Sequence, residues 1–231
     1  MCGRFVVAYT LEELKNFLNA SFSIFDLDEQ IEAPRYNIAP GEQVLSIISD
    51  GTTYRAGHFK WGFIPSYAND ITVGYKLINT RSETITKKTA FKDSFKNKRC
   101  LIIASGFYEW EKRCKDKIPM LFQLKSKKLF VFAGLYSRYK DADNKVIDSC
   151  TIITTHANEL VRDIHDRMPV ILTIDNAKKW LDYNLDTIEL TSLLKEFNST
   201  LMTKHRVSQK VNKASYKNQD CIKEVYENTL F

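Results

Sequence analysis

The sequence predicts a single α+β domain built on a largely antiparallel, barrel-like β-sheet with flanking helices. Apolar runs of strand length are distributed from one end of the chain to the other. Helical patterns lie between them without the regular strand–helix–strand alternation of a parallel sheet. The chain of 231 residues is 44% hydrophobic, and no internal repeat or linker-like stretch interrupts it. We therefore expect residues 1–231 to form one domain with a substantial core.

Most of the predicted strands are short apolar runs bounded by turn residues. The clearest hairpin joins two of them through Asp50-Gly51, a dipeptide typical of tight β-turns. Cys100 and Cys150 lie inside such runs and are expected in the core. The expected strands are residues 2–9, 43–49, the segment from 53, 75–79, 100–104, 106–110, 120–124, 129–136, 149–155, 170–172 and the tail from 205.

The helices are indicated by capping residues and by apolar spacing. Thr10 and Glu13 have the spacing of a capping box, which predicts an amphipathic helix through Leu18. Phe91 and Phe95 mark the buried face of a second helix. Further helices are expected at residues 158–164, after a cap at Asp175, and at residues 187–197.

Charge and cysteine usage narrow the function classes. The net charge of +6 and pI near 8.9 are compatible with a polyanionic partner and equally with a solvated lysine surface. The 5 cysteines form no C-x-x-C pair, which argues against a zinc ribbon or a redox motif. The chain shows neither a signal-peptide pattern nor a run of membrane-spanning length. A reduced, cytoplasmic compartment is the expectation.

The chain begins Met1-Cys2-Gly3-Arg4, and Cys2 carries the most specific chemistry. Removal of Met1 would leave Cys2 with a free α-amine beside its thiol, a pair that no internal cysteine has. Such an amine condenses with an aldehyde, and the thiol then closes onto the imine to give a thiazolidine. Both groups have usable nucleophilic fractions at neutral pH. The alternative is an ordinary N-terminus in which Cys2 is a small buried residue.

Two junctions place polar side chains where chemistry can occur. Asn79 and Arg81 follow an apolar pair, and the amide can orient a carbonyl while the guanidinium holds a phosphate. Turn and surface roles are the alternative. His165 opens a loop with Arg167 before Met168-Pro169, a position suited to proton transfer, although a structural histidine is more common.

Glu109 lies among three aromatic residues in the segment GFYEW. A carboxylate in such an apolar run is uncommon unless it is paired or functional. An apolar environment would raise its pKa, which suits a general acid or base. The alternative is an edge-strand glutamate that points to water.

Aromatic and proline residues are concentrated on two loops. They include Pro40, Trp61, Phe63, Pro65 and Tyr67. Aromatic side chains on loops can stack on nucleobases or wedge between base steps. They can equally pack against the core, and for Trp61 core packing is the favoured interpretation.

Six segments, taken in chain order, resemble the SRAP family, the SOS response-associated peptidases that are also known for cross-linking to abasic DNA. A further stretch after these six, from Val207 to Asn212, resembles the family's closing motif. The motifs therefore span residues 2–212, and residues 213–231 form a closing C-terminal segment. The six segments are MCGRF at 1–5, YNIAPG at 36–41, WGFIP at 61–65, INTRSET at 78–84, GFYEW at 106–110 and HDRMP at 165–169.

The resemblance implies a cross-linking protein that senses abasic sites in single-stranded DNA. Its implied site comprises catalytic Cys2, Asn79, Glu109 and His165 and DNA-binding Arg4, Asn37, Pro40, Trp61, Tyr67, Arg81 and Arg167. At the Tyr67 position the family often has Trp. The implied protein is a monomer, associated with DNA in the cytoplasm and without a membrane partner. No metal or organic cofactor is expected.

The implied mechanism combines these residues with the chemistry of Cys2. The Cys2 amine attacks the open-chain sugar aldehyde, Glu109 or His165 shuttles protons, and Asn79 positions the reacting groups. The thiolate then closes the ring, and His165 can assist reversal. Two other classes remain open: a peptidase or amidohydrolase with Cys2 as nucleophile, and a noncatalytic nucleic-acid-binding module.

Overall fold

A computed structural model describes residues 2–27, 31–113, 116–126 and 128–226. Met1, whose removal the chemistry of Cys2 requires, lies outside the described residues, as do Cys114 and the last part of the closing segment, 227–231. The helices are α1 (Leu11–Phe22), α2 (Thr89–Asn97), α3 (Glu159–Arg162), α4 (Ile174–Trp180) and α5 (Thr187–Ser192). The strands are β1 (Phe5–Val7), β2 (Arg35–Ile38), β3 (Gln43–Ser49), β4 (Tyr54–Trp61), β5 (Asn79–Arg81), β6 (Arg99–Ala104), β7 (Gly106–Arg113), β8 (Asp116–Leu124), β9 (Phe130–Lys140), β10 (Val146–His156), β11 (Arg167–Pro169), β12 (Ile171–Leu172) and β13 (Met202–Arg206).

The strands form one closed barrel and one open sheet. In the barrel, strands are hydrogen-bonded in the order β10-β4-β3-β6-β9, and β9 pairs back with β10. The open sheet has the order β13-β8-β7-β1-β2. Among the described strands, only the pairs of β10 with β4 and with β5 are parallel. The predicted α+β class with a barrel-like, largely antiparallel sheet is confirmed.

A continuous apolar core joins the barrel to the open sheet. Phe5 of β1 packs edge-on against Trp61 and Phe132 of the barrel, with ring centroids 5.2 and 5.8 Å apart. Cys100 and Cys150 are fully buried, as predicted. A smaller cluster on the other side of β1 packs the C-terminal segment against the open sheet. The N-terminal stretch from Cys2 through β1 therefore lies between two apolar clusters.

The predicted helix signals are confirmed at α1 and α2. Thr10 and Glu13 make the expected capping box, and each accepts a hydrogen bond from the other's backbone. Phe91 and Phe95 are buried beneath α2. The cap of α4 is Thr173, whose hydroxyl accepts from the Asn176 amide, and the prediction of a cap at Asp175 is wrong.

Several predicted boundaries are also wrong. Of the expected strand at 75–79, the first two residues end a 3₁₀ turn at Ile71–Lys76, and β5 begins only at Asn79. Asp70 caps this turn by accepting from the Thr72 amide. α5 stops at Ser192, where the hydroxyl groups of Thr191 and Ser192 bond back to helix carbonyls. β1 begins at Phe5 rather than at residue 2.

Gly62 shows why the WGFIP segment needs a glycine. Its φ of 139° lies in the left-handed half of backbone space, and a Cβ at this position would lie 2.9 Å from the Gly74 carbonyl oxygen. This close approach fixes the 3₁₀ turn that leads into β5. Gly57 on β4 has ordinary φ, and a Cβ there would meet nothing within 4 Å.

We expect Gly62→Ala to lower the free energy of unfolding by about 2–4 kcal/mol, from backbone strain and from the collision. Gly57→Ala is the matched control, expected to change it by less than about 1 kcal/mol. Urea denaturation of both variants measures the difference. Equal effects in the two variants would contradict this explanation.

Candidate active site

Cys2 lies at the junction of the two sheets. It is 0% exposed and belongs to the main core. The Asn79 side-chain amide, at the start of β5, donates to the Cys2 carbonyl at 2.7 Å. On the other side, the Tyr108 amide donates to the Arg4 carbonyl at 2.9 Å and so extends the pairing of β1 with β7. The backbone around Cys2 is therefore fixed from both sheets.

The Cys2 thiol is in a medium that disfavours charge. Burial raises its pKa well above the ordinary value for cysteine, and the negative charge of Glu109 raises it further. The antiparallel register of β1 with β7, extended by the Tyr108–Arg4 hydrogen bond, places Glu109 opposite Gly3 and so near Cys2. The thiol is therefore neutral here and needs a base in order to act as a nucleophile.

Glu109 is 3% exposed on β7. β7 lies between β1 and β8, so the alternative of an edge-strand glutamate pointing to water is excluded. Burial raises the pKa of Glu109 to about 7, as the aromatic surroundings led us to predict. A carboxyl group with this pKa can both donate and accept a proton at neutral pH.

His165 shares a cleft with Glu109. The cleft has a volume of about 490 Å³ and is lined by Glu109, Trp110, Lys112, Lys117, His165 and Asn212. The Nδ1 atom of His165 accepts from the Arg167 amide at 3.0 Å and lies 3.0 Å from an Asp166 carboxylate oxygen. Burial lowers the pKa of His165, which favours the neutral, proton-accepting form at pH 7.

Arg167 is buried in an ion pair with Glu83. Its guanidinium is buried and donates to both carboxylate oxygens of Glu83, at 2.7 and 3.0 Å, and to the Thr154 carbonyl at 2.6 Å. The expected loop is in fact β11, and its antiparallel pairing with β10 turns this side chain inward. The Arg167–Glu83 pair fixes the backbone that orients His165, and the expected phosphate contact of Arg167 stays a prediction.

Two other residues expected at the DNA have structural roles instead. Asn37 is buried and donates to the carbonyls of Val211, Lys213 and Tyr216 at 2.7–3.2 Å. Trp61 is 1% exposed, and its indole N–H donates to the Ile78 carbonyl at 2.9 Å. Neither side chain is accessible for stacking or for a phosphate, because each is used to hold another segment of the chain.

Arg4 takes part in the same hydrogen-bond network as Asn37. Its guanidinium donates to the Asn37 side chain at 2.7 Å and to the Val211 carbonyl at 2.8 Å. It also lies over the Trp110 ring, 5.8 Å from the ring centroid. Trp110 in turn donates to the Asn212 side chain at 2.6 Å. Arg4 thus links the Cys2 strand to one wall of the cleft.

The remaining predicted contacts lie nearer the surface. Arg81 is exposed at the end of β5, and Tyr67 is 60% exposed. Pro40 is half-buried in the turn after β2. Tyr67 borders a second cavity, of about 110 Å³, that shares no lining residue with the cleft. These positions leave Arg81 and Tyr67 available to an external ligand.

The structure thus brings Cys2, Asn79, Glu109 and His165 into one connected site. Four residues of the cleft were not predicted as site residues from the sequence, namely Trp110, Lys112, Lys117 and Asn212. The two lysines follow the GFYEW segment within one basic run, and this position was the available signal. Among the residues that the structure describes, no group of three or more His, Cys, Asp or Glu side chains could hold a metal ion.

A sequence model described as SOS response associated peptidase (SRAP) matches residues 1–214. The chain belongs to the SRAP family. The abasic site processing protein YoqW of Bacillus subtilis is 44% identical over 214 residues, which cover 92% of this chain and 94% of YoqW. The abasic site processing protein HMCES of Xenopus tropicalis is 31% identical, with 85% and 68% of the two chains covered.

Solved structures show the same SRAP architecture. A crystal structure of a protein from Bacteroides thetaiotaomicron superposes with a TM-score of 0.82 at 27% identity and covers 97% of this chain and all of its own. None of the described helices is long and apolar enough to cross a membrane.

The raised pKa of Glu109 predicts a pH-dependent stability. The folded state holds this proton more tightly than the unfolded chain, where the pKa is near the ordinary value of 4.5. The stability that this group contributes is therefore present below pH 4.5 and lost as the pH rises through about 7. Glu109→Gln, which cannot ionise, removes the effect.

We expect wild type to lose about 3 kcal/mol of unfolding free energy relative to Glu109→Gln across this window, at about 1.4 kcal/mol per pH unit. Chemical denaturation at several pH values measures it. Glu111→Gln is the control, since Glu111 is on the same strand near the surface, paired with Arg113. Parallel stability profiles for wild type and Glu109→Gln would refute the raised pKa.

Proposed function

We propose that this protein senses abasic sites in single-stranded DNA and traps them covalently through Cys2 after Met1 has been removed. The observation that carries the proposal is the position of Cys2. Its carbonyl is held by Asn79, and its thiol interacts electrostatically with a buried Glu109 that lines an open cleft. The relatives named as abasic site processing proteins support the same substrate.

The reaction begins at the amine. The Cys2 nitrogen attacks C1 of the open-chain sugar, which forms a C–N bond and a carbinolamine. Loss of water from the carbinolamine gives the imine, and the hydroxyl that departs must be protonated. Glu109 in its protonated form is suited to supply this proton, because its pKa of about 7 leaves a substantial protonated fraction at neutral pH.

The second step uses the thiol. After it has lost its proton as water departs, Glu109 is a carboxylate and can accept the thiol proton as sulfur adds to the imine carbon. The product is a thiazolidine, and the overall change is loss of one water molecule. This route does not require a free thiolate, which the buried environment of Cys2 disfavours.

Ring closure explains how such a protein would protect DNA. An imine at C1 acidifies the neighbouring C2 position and opens the way to β-elimination and strand cleavage. The thiazolidine removes the imine and therefore this path. The neutral His165 is suited to exchange protons with the sugar oxygen during formation or reversal of the adduct.

Exposed groups near the site would hold the rest of the DNA. Arg81 follows Asn79 by two residues on β5 and is exposed, so it can contact a phosphate. Tyr67 is exposed and can stack on a base. Such contacts carry little sequence preference, and binding that depends on them weakens as salt is added.

Cys2→Ser separates the candidate functions. The variant keeps the amine, so it should still form an imine that borohydride traps, but it should lose the heat-stable adduct with an abasic oligonucleotide. Denaturing gels and intact mass spectrometry measure both products. Cys150→Ser is the control, because Cys150 is a buried cysteine of the barrel strand β10 and does not line the cleft.

The outcomes distinguish three mechanisms. A peptidase with Cys2 as nucleophile would lose peptide hydrolysis in the variant and form no DNA adduct in either protein. A noncatalytic binding module would be unaffected by the substitution. A heat-stable adduct of full yield in Cys2→Ser would overturn the thiazolidine.

A blocked amine provides an independent test. A variant with one alanine inserted between Met1 and Cys2 keeps the cysteine thiol. Its cysteine nitrogen is part of a peptide bond and is no longer a free amine. We expect at least a ~100-fold loss of stable adduct, since the first C–N bond can no longer form by this route. Intact mass spectrometry of wild type measures whether Met1 has been removed, which the proposal requires. Coupling at the wild-type rate by the blocked protein would contradict the proposal.

A further inference from the structure

We propose that Lys112 and Lys117 form a phosphate-binding pair that holds the backbone of the DNA strand at the mouth of the cleft. The inference rests on the proposed function for the identity of the anion, and it adds a binding site for that substrate. The two lysines belong to neither of the motifs that flank them in the chain.

The pair is built by the strand register. β7 and β8 form an antiparallel hairpin in which Lys112 lies directly opposite Lys117. Directly opposed side chains have Cβ atoms about 5 Å apart, and like charges at this separation repel. Both lysines are exposed. A bound anion would remove the repulsion, and one phosphodiester fits between two ammonium groups at this spacing.

The protein itself supplies no anion to the pair. Within the described ranges, neither ammonium forms a salt bridge. The carboxylate of Glu111, the residue before Lys112, is 3.1 Å from the Arg113 guanidinium. The Glu111 carboxylate is therefore paired with Arg113, and the ammonium groups of the two lysines that line the cleft each carry a positive charge.

The pair is part of the same cleft as the proposed chemistry. Both lysines line it together with Glu109 and His165. The positive charge of Lys112 contributes to the lowered pKa of His165, after burial, so the two groups interact electrostatically. Arg167, the cation that the HDRMP segment leads one to expect here, is buried against Glu83. Among the described residues that line the cleft, the exposed cations are therefore Lys112 and Lys117.

Direct binding to unreactive DNA tests the pair. The probe is a fluorescein-labelled single strand with a tetrahydrofuran abasic analogue, which lacks the aldehyde and cannot cross-link. We expect Lys112→Gln/Lys117→Gln to weaken binding about 5- to 10-fold at low salt and to reduce the slope of log Kd against log salt by about 0.7 for each phosphate that is no longer neutralised. Lys112→Arg/Lys117→Arg should retain both the affinity and the slope, because the charge is kept.

The control variant makes the same charge change elsewhere. Lys140→Gln/Lys145→Gln removes two exposed lysines from the hairpin between β9 and β10 and should leave the affinity within about twofold of wild type. An equal loss of DNA affinity in both double variants would show that the effect depends only on net charge, and it would overturn the proposal. Unchanged affinity and salt slope in Lys112→Gln/Lys117→Gln would overturn it as well.

A second measurement separates this proposal from the proposed function. With an aldehyde-bearing abasic oligonucleotide, the loss should appear as a higher half-saturating DNA concentration for adduct formation. A fall in rate at saturating DNA with unchanged affinity would assign the lysines to the chemistry and overturn the phosphate pair. If wild type forms no adduct at all, the proposed function fails, while the binding experiment still decides the lysine pair.

Discussion

The hydrogen bond from the Asn79 amide to the Cys2 carbonyl is the contact on which the site depends. Asn79 begins β5, which is attached to the barrel through β10, whereas Cys2 precedes β1 of the open sheet. The bond therefore joins the two halves of the fold at the residue that carries the proposed chemistry. An N-terminal segment normally frays, but here its backbone is anchored from both sides, so the reactive groups have a defined position relative to Glu109.

Burial gives the three titratable groups of the site one common bias. It raises the pKa of the Cys2 thiol and of Glu109 and lowers that of His165. Each shift favours the uncharged form. A site of neutral groups matches a reaction whose steps are proton transfers coupled to bond formation. Positive charge is present in the cleft on Lys112 and Lys117, which line it.

Local patterns in the sequence were sufficient for the elements and for part of the site. The capping box at Thr10, the buried face of α2 and the raised pKa of Glu109 follow from neighbouring residues alone. The roles of Asn37, Trp61 and Arg167 do not, because each depends on a partner distant in the chain. Nothing in HDRMP shows that β11 pairs with β10 and turns Arg167 toward Glu83.

The C-terminal segment has the same long-range character and extends beyond the matched family region. The family match ends at residue 214, yet the Tyr216 carbonyl accepts from Asn37 at 2.7 Å and the Lys217 ammonium donates to the Asn37 carbonyl at 2.6 Å. Asn37 also accepts a hydrogen bond from Arg4, which leads into β1. Residues after 214 therefore help to support the backbone next to Cys2. Changes in this closing segment can therefore shift the reactive residue without altering any motif, because the segment and Cys2 share one hydrogen-bonded support.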